Sequence, residues 1–555
     1  MSKNILNNPA GWIGSIGSLL SQMIVWIYVI MFLLVFYKHF VTIDVDAILY
    51  WSFLIAVILV VTGPIGAVFW TKLFEARRRR STFIFPADGS LIWLMFLGLL
   101  VKLNWVITHP VAPYADYLTF HRTAEMLSRD WVIHFPYVAL FPHIMGYASF
   151  LSLFYVLFGA EQWVAPLVNV MLSLISLYAL YILTHRLFGT KSADVAALLW
   201  IFLPSETMYH ALVLSEPLYT ALIFIWLNLF LYGFERLYGM KHLYGIERLN
   251  GTDRSGAWHM HRVLGRGSNL FYVVWLGLLL GVIQAVRPVG TILLLSAMIW
   301  LVIVWSRHVH MMRGHERYPM KELPMKDVPV NKLSRRGRDA LVFAVTLTLV
   351  FFLSGKLVHV YNDARLGEIS ARSVGYSLYV GMNEKSMGKW NRADSDLLFE
   401  IVKQHPEWSA EDVQQEMMQK TWVRMQQRET SWLQFFLNKL HVFWGSDAMG
   451  YYYSKVKEHV ILYPALSNGY FYMVIVYSMI GLVAALRLDH AHPAVLIALY
   501  VLGLSAAHML VEVAVRYHYS ALALMIPLAA KGIDETGKRL LSVFASKERK
   551  PDRAR

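Results

Sequence analysis

Apolar residues in this chain run together in blocks of roughly 17 to 23, about the length a helix needs to cross the hydrocarbon core of a bilayer. Twelve blocks are predicted as spans: 24–41, 50–71, 90–107, 164–185, 193–209, 214–234, 270–286, 289–306, 340–358, 469–486, 493–511 and 519–531. The first is expected to be retained, because Lys3 is the only early positive charge, no small-residue cleavage site follows and a second block comes soon after. The fold class this pattern implies is an all-α transmembrane bundle.

Two polar stretches interrupt the short connections, at 108–163 and about 359–468. Within the first, "YVALFPHIMGYASFLSLFYVLFG" (137–159) has the length of a span, but counting it as one would invert everything downstream. Pro142, His143 and Gly146 also weaken it as a lipid-facing helix, so it is expected to lie on the outer face, juxtamembrane or re-entrant. The chain is thereby divided into an N-terminal pair of spans with a basic loop (1–89), a core of spans (90–358), a mixed external segment (359–468) and a C-terminal set of spans with a basic tail (469–555). No internal repeat is visible, nor a matching pair of interrupted helices of the transporter kind.

Charge orients the bundle. With the N-terminus inside, the segments "KLFEARRRR" (72–80), "HRLFGTK" (185–191), 235–269, 307–338 and the tail "SKERKPDRAR" are cytoplasmic. About 32 of the 51 Lys and Arg then lie inside and about four in the short external loops and turns, as the retention of positive charge on the cytoplasmic side requires. Both termini are thus predicted cytoplasmic. The composition agrees, with 57% hydrophobic and 16% charged residues. The net charge of +14 is dispersed over membrane-flanking loops, which fits contact with anionic lipid and argues against a nucleic-acid partner. There is no cysteine, which excludes disulfides and thiolate metal sites.

Ionisable residues near the spans collect on the outer side: Asp116 in "HPVAPYADYLTFHRTAEMLSRDW" (109–131), Glu206 and Glu216 around "SETMYHALVLSEP" (205–217), Arg287 in "VRPVG", and Glu512, Arg516 and His518 in "VEVAVRYHYS" (511–520). Each has a plain structural reading. Asp116 is as well placed to cap a helix beginning near Tyr117. Glu216 before Pro217 suits a helix N-terminus, Arg287-Pro288 suits a simple turn, and Glu512 and Arg516 at i, i+4 suit a helix pair. The histidines His121, His143 and His518 form no recognisable metal motif. Carboxylates and arginines gathered on one face nevertheless suit transfer of a group from a lipid phosphate, with a carboxylate as base and arginines on the phosphate.

The order of "PYADYLTFHRTAEML", "FPHIMGYASFLSLFYVLFGAEQW", "YILTHRLFG" and "LPSETMYHALVLSEPLYT" resembles polytopic glycosyltransferases of the GT-C fold, closest to family 39-like enzymes. Protein O-mannosyltransferases and lipid A aminoarabinose transferases are more distant relatives. The likeness is best over about residues 90 to 306, with an echo in "EVAVRYHY". It implies a GT-C-like bundle, a polyprenyl-phosphate sugar donor, and a glycolipid, cell-wall polymer or protein acceptor, in contact with membrane lipids. By position it makes Asp116 the base, with Glu216 supporting it, and Arg287 and Arg516-Tyr517 the phosphate site. Tyr114 or Tyr117 would stack on the sugar, and His121, His143 and Glu512 complete the residues expected to touch substrate. The first external loop shows one clear aspartate where several relatives have paired acids, so the resemblance does not decide whether a divalent cation takes part; no organic cofactor is expected. Two other classes stay open: a lipid-linked sugar transporter or flippase, and a non-catalytic polyprenyl-lipid-binding envelope protein.

Overall fold

The computed structural model describes residues 9–42, 46–80, 89–238, 269–314 and 330–548, and no strand occurs among them. Residues 239–268 of the basic 235–269 loop and 315–329 of the 307–338 loop lie outside the described residues, as does the end of the basic tail. The chain opens with α1 (Pro9–Thr42), α2 (Ala47–Arg80) and α3 (Gly89–Thr108). The first long connection holds α4 (Ala115–Arg129), α5 (Pro136–Leu140) and α6 (His143–Phe158). Then follow α7 (Val164–Phe188), α8 (Thr190–Ile201), α9 (Pro204–Tyr209), α10 (Glu216–Tyr238), α11 (Asn269–Val286), α12 (Gly290–Gly314) and α13 (Val330–Leu366). The second long connection holds α14 (Gly375–Gly381), α15 (Arg392–Gln404), α16 (Ala410–Gln426), α17 (Trp432–Trp444) and α18 (Met449–Tyr453). The chain closes with α19 (Leu462–Leu488), α20 (Ala494–Leu510), a 3-10 turn at Val515–His518 and α21 (Tyr519–Glu548).

Among the described residues eight helices are long and apolar enough to cross a membrane: parts of α1, α2, α3, α7, α10, α12, α13 and α19. α6, α11 and α20 are apolar but shorter. Three sequence expectations are refined. The span expected at 193–209 is two helices, because Pro204 has no N–H to continue α8 and holds Leu203 extended (φ −68°, ψ 109°) before α9 starts. The block at 519–531 is only the head of α21, whose second half carries Asp534, Glu535 and Lys538. The segment between α13 and α19, expected to be mixed, is helical throughout its regular structure.

α6 is one reason that 137–159 does not read as a span. The helix is interrupted at Phe141 and Pro142, and the remaining 16 residues pack against α4 and α11. At about 1.5 Å per residue such a helix is shorter than the hydrocarbon core. Elsewhere the bundle is drawn tight by small residues. A Cβ at Gly481 of α19 would collide with the Leu528 carbonyl of α21, and one at Gly532 of α21 with that of Tyr477 of α19. The two backbones therefore touch, the arrangement by which helices in lipid gain dispersion energy without a hydrophobic driving force.

A buried ion pair sits beneath this packing. Lys102, inside the apolar α3, is paired with Glu206 of α9, and both are about 1% exposed. Lys102 also donates to Thr207 Oγ1 (2.6 Å) and to the Trp200 carbonyl (3.3 Å). Glu206 Oε1 accepts from Ser173 Oγ of α7 (2.9 Å) and Tyr519 OH of α21 (3.3 Å), with His210 Nε2 at 3.0 Å. One carboxylate thus joins α3, α7, α9 and α21. Lys102→Met leaves this carboxylate buried without its cation and is expected to cost about 3–5 kcal/mol. A thermal unfolding midpoint for the protein in detergent, lowered in Lys102→Met and partly restored in Lys102→Met/Glu206→Gln, checks this.

Candidate active site

After α3 the chain runs extended through Pro110 and Pro113 to Tyr114 (φ −147°, ψ 163°). It then turns sharply at Ala115, whose φ of +45° is unusual for a residue with a Cβ. α4 follows at once. Tyr117, Phe120, Ala124 and Leu127 form its buried stripe, and Phe120 meets Tyr147 of α6 edge-on at 5.3 Å. The far end of α4 is held by Arg365 of α13, which donates to the carbonyls of Leu127 (3.2 Å) and Asp130 (3.1 Å). A cation at a helix C-terminus also complements its dipole.

With α4 pinned along one face, Asp116 is left on its rim. Tyr114 occupies the N-cap position and no side chain caps the helix. The capping role that suits Asp116 on sequence grounds is therefore not taken up. Its half-exposed carboxylate pairs instead with Arg516, 400 residues further on. Arg516 also reaches Tyr117 OH at 3.3 Å.

The Arg516 turn is built by the segment after α20. Val511 is extended, Glu512 N donates to the Ser377 carbonyl (2.8 Å) and Val513 N to that of Gly388 (2.9 Å), so this strip lies against the second long connection. The i, i+4 helix pair of Glu512 and Arg516 does not form, because only Val515–His518 is helical and its form is 3-10. Glu512 instead accepts from Tyr517 OH at 3.0 Å. The Tyr517 ring is stacked on His508 (5.1 Å between centroids), with the Arg287 guanidinium 4.7 Å and that of Arg516 5.4 Å from its centre. Such contacts stabilise each cation where water is scarce. Arg287, in the turn between α11 and α12, makes no side-chain hydrogen bond among the described residues. Its planar fork of donors is thus uncommitted, the geometry that grips a phosphate with two bonds.

Electrostatics separate the two carboxyl groups. Burial pushes the Asp116 carboxyl up, but Arg516, with Arg287 and His143 behind it, outweighs burial and holds it below the usual carboxylate range. Burial raises Glu512, only partly opposed by the Tyr517 hydrogen bond and Arg516, and Asp116 raises it further. One acid is held as an anion while its neighbour is pushed toward the neutral form. Glu216 is buried at the head of α10 with Ser215 Oγ at 3.3 Å, and its charge acts on both Arg287 and Arg516. Asp116, Glu216, Arg287, Glu512, Arg516 and Tyr517, with His143 in electrostatic reach of Asp116 and both arginines, are thus brought to one end of the bundle.

Residues 142–245 match the family model for dolichyl-phosphate-mannose-protein mannosyltransferases. The match bears out the resemblance to GT-C glycosyltransferases and includes His143 and Glu216, but stops short of Asp116, Arg287 and Arg516. Among curated proteins no relative matches the chain. Among solved structures, the oligosaccharyltransferase of Archaeoglobus fulgidus in its apo form is similar over 84% of this chain and 52% of its own, at 12% identity and a TM-score of 0.40. The same archaeal enzyme, AglB, with an inhibitory peptide and a dolichol-phosphate gives 14% identity and 0.39 over 84% and 52%. ArnT from Cupriavidus metallidurans bound to undecaprenyl phosphate gives 15% identity and 0.28 over 83% and 79%. The chain thus spans about half the length of the archaeal enzyme.

The remaining sequence candidates divide. Tyr114 stands at the rim, its OH donating to the Tyr453 carbonyl (2.9 Å) and its ring meeting Tyr117 edge-on at 5.2 Å. His121 points along α4 to Tyr155 OH of α6 (2.7 Å), a contact between the two helices. Glu206 belongs to the buried hub and not to the rim. Two contributors were missed by sequence reasoning: Tyr453, whose ring lies 5.8 Å from the Arg516 guanidinium, and Lys455, whose ammonium stands 3.6 Å over the Tyr114 ring. The only signal for Tyr453 was the aromatic run in "HVFWGSDAMGYYY", which matches no motif, and Lys455 lies just beyond it. No group of three or more His, Asp or Glu that could hold a metal ion occurs among the described residues.

His143 is seated by the contact of α6 with α11. A Cβ on Gly146 would collide with the backbone of Ala285 and Val286, immediately before Arg287. Backbone cannot yield as a side chain can. Gly146→Ala is therefore expected to destabilise the protein by about 1–3 kcal/mol, read as a lowered unfolding midpoint.

Proposed function

We propose that this protein is a membrane glycosyltransferase that moves a sugar from a polyprenyl-phosphate donor to an acceptor hydroxyl on the extracytoplasmic face, with inversion and with both termini cytoplasmic. The observation that carries the reading is the rim itself. The Asp116 carboxylate is paired with Arg516, while Arg287 rests on the shared Tyr517 ring with its donors free.

In this mechanism the lipid tail lies among the spans and the donor phosphate is held by Arg287 and Arg516. The acceptor oxygen attacks the anomeric carbon as the bond from that carbon to the phosphate oxygen breaks. The acceptor proton passes to Asp116, and the electron pair leaves with the polyprenyl phosphate, whose added charge the two arginines hold. Arg516 links the two halves of the reaction. As phosphate draws its guanidinium, Asp116 loses the charge that most lowers its proton affinity and becomes a better base. Tyr114 stacks on the sugar, whereas Tyr117, expected from the sequence to share that role, is buried and backs Arg516 instead, and Glu216 keeps the arginine pair balanced. The acceptor is a glycolipid, a cell-wall polymer or a protein.

Two measurements test the reading. The envelope glycan that disappears when the protein is removed should return with the wild type and not with Asp116→Asn, a loss of about a hundredfold or more in transfer, while insertion and folding stay intact. Normal transfer by Asp116→Asn would sink the proposal. The acid limb of kcat/KM should lie below the ordinary carboxylate range, because Asp116 must be ionised in the free enzyme and Arg516 keeps it so. Arg516→Gln removes that charge, leaves burial less opposed and moves the limb to higher pH, whereas Arg516→Lys leaves it nearer its original position.

A further inference from the structure

The stretch between α17 and α18 has no role in the chemistry above, yet it is set deep in the bundle. Trp444 is fully buried, with Nε1 donating to Ser505 Oγ of α20 (2.9 Å) and its ring edge-on to Phe32 of α1 at 5.0 Å. The Gly445 carbonyl accepts from Tyr472 OH of α19 (2.9 Å), and Asp447 N donates to Asn468 Oδ1 of α19 (2.8 Å). The Asp447 carboxylate is buried too. One oxygen accepts from Ser205 Oγ of α9, and the other faces His518 Nε2 at 3.1 Å.

His518 is two residues from Arg516, and its ring has no freedom. It lies nearly parallel to the rings of Trp444 (5.1 Å, 6°) and Phe471 (5.2 Å, 13°), which also stack on each other at 6.3 Å. Its Nδ1 is 2.5 Å from the Phe443 carbonyl, which can only accept, so Nδ1 carries a proton. Nε2 faces a carboxylate whose second oxygen is already taken by a hydroxyl. A proton therefore lies between His518 and Asp447, and with it the pair closes a ring of hydrogen bonds from Phe443 to Asp447. Further along the same stretch, Tyr453 flanks Arg516 and accepts the Tyr114 hydroxyl on its carbonyl.

We propose that Asp447 is a positioning residue for the phosphate-holding arginine: through His518 it fixes the turn that carries Arg516, so that residues 443–453 complete the anion site without touching the ligand. This rests on the phosphate reading of Arg287 and Arg516. The full-length protein in detergent micelles is titrated with undecaprenyl phosphate and, separately, with undecaprenol, which has the same tail and no phosphate. Wild type is expected to prefer the phosphate. Asp447→Asn, and independently His518→Gln, should weaken the phosphate ligand roughly tenfold or more, with undecaprenol affinity of the folded protein unchanged. The role of Asp447 is overturned if either folded variant keeps the wild-type preference, or if both ligands weaken together with a fall in the midpoint. A wild type without preference for the phosphate ligand would instead remove the phosphate reading, and this inference with it.

Discussion

A charge inside an apolar helix is the constraint from which the rest of the structure follows. Lys102 interrupts α3 where a bilayer offers no solvation, and an isolated cation there costs several kcal/mol. Glu206 answers it, and that carboxylate has oxygen to spare for Ser173, His210 and Tyr519. The helix break at Pro204 is what lets α9 lay Glu206 across the bundle. Tyr519 is the first residue of α21, directly after the turn with Arg516 and His518. The hub thus ties the buried core of the bundle to the rim proposed to bear the chemistry.

At the rim the problem is reversed: two guanidinium groups share one aromatic ring, and the half-exposed Asp116 carboxylate pairs with only one of them. Aromatic faces make this tolerable. Tyr517 lies by both arginines, and Tyr117 and Tyr453 lie by Arg516, each offering the negative face of a ring where water is limited. Glu216 and Asp116 supply the balancing charge without binding up Arg287. A site of this kind attracts an anion and keeps a free fork of donors for it.

Much of this was legible in the sequence, for identifiable reasons. Apolar blocks of bilayer length show wherever they occur, so the helices were found. Polar residues at the ends of those blocks marked Asp116, Glu216, Arg287, Glu512 and Arg516 as neighbours, because alternate turns of a bundle face the same side; Tyr517 came from the family resemblance, and Glu206, marked with them, went to the hub instead. Long-range pairing was not legible. Nothing local shows that Asp116 would meet Arg516 and not cap its own helix, or that Glu512 would turn to Tyr517, since both outcomes are set by a turn folded against a distant connection. The break of 193–209 had a clue in Pro204, and the hub had one in Lys102, a lone cation in an apolar block. The buried stretch 443–453 had none, because its partners come from α1, α9, α19 and α20.

The backbone contact of α19 with α21 through Gly481 and Gly532 has a consequence for how the rim behaves. Long side chains between helices act as a soft layer that rotamer changes can deform; two backbones in contact have no such layer. The turn at the head of α21 therefore inherits the stiffness of the bundle. The ordering cost of its arginine and tyrosine falls on folding and not on binding, which is preorganisation in the thermodynamic sense. Motion then belongs to elements outside that pair, and the anion proposed to bind here would meet a receptor already in shape.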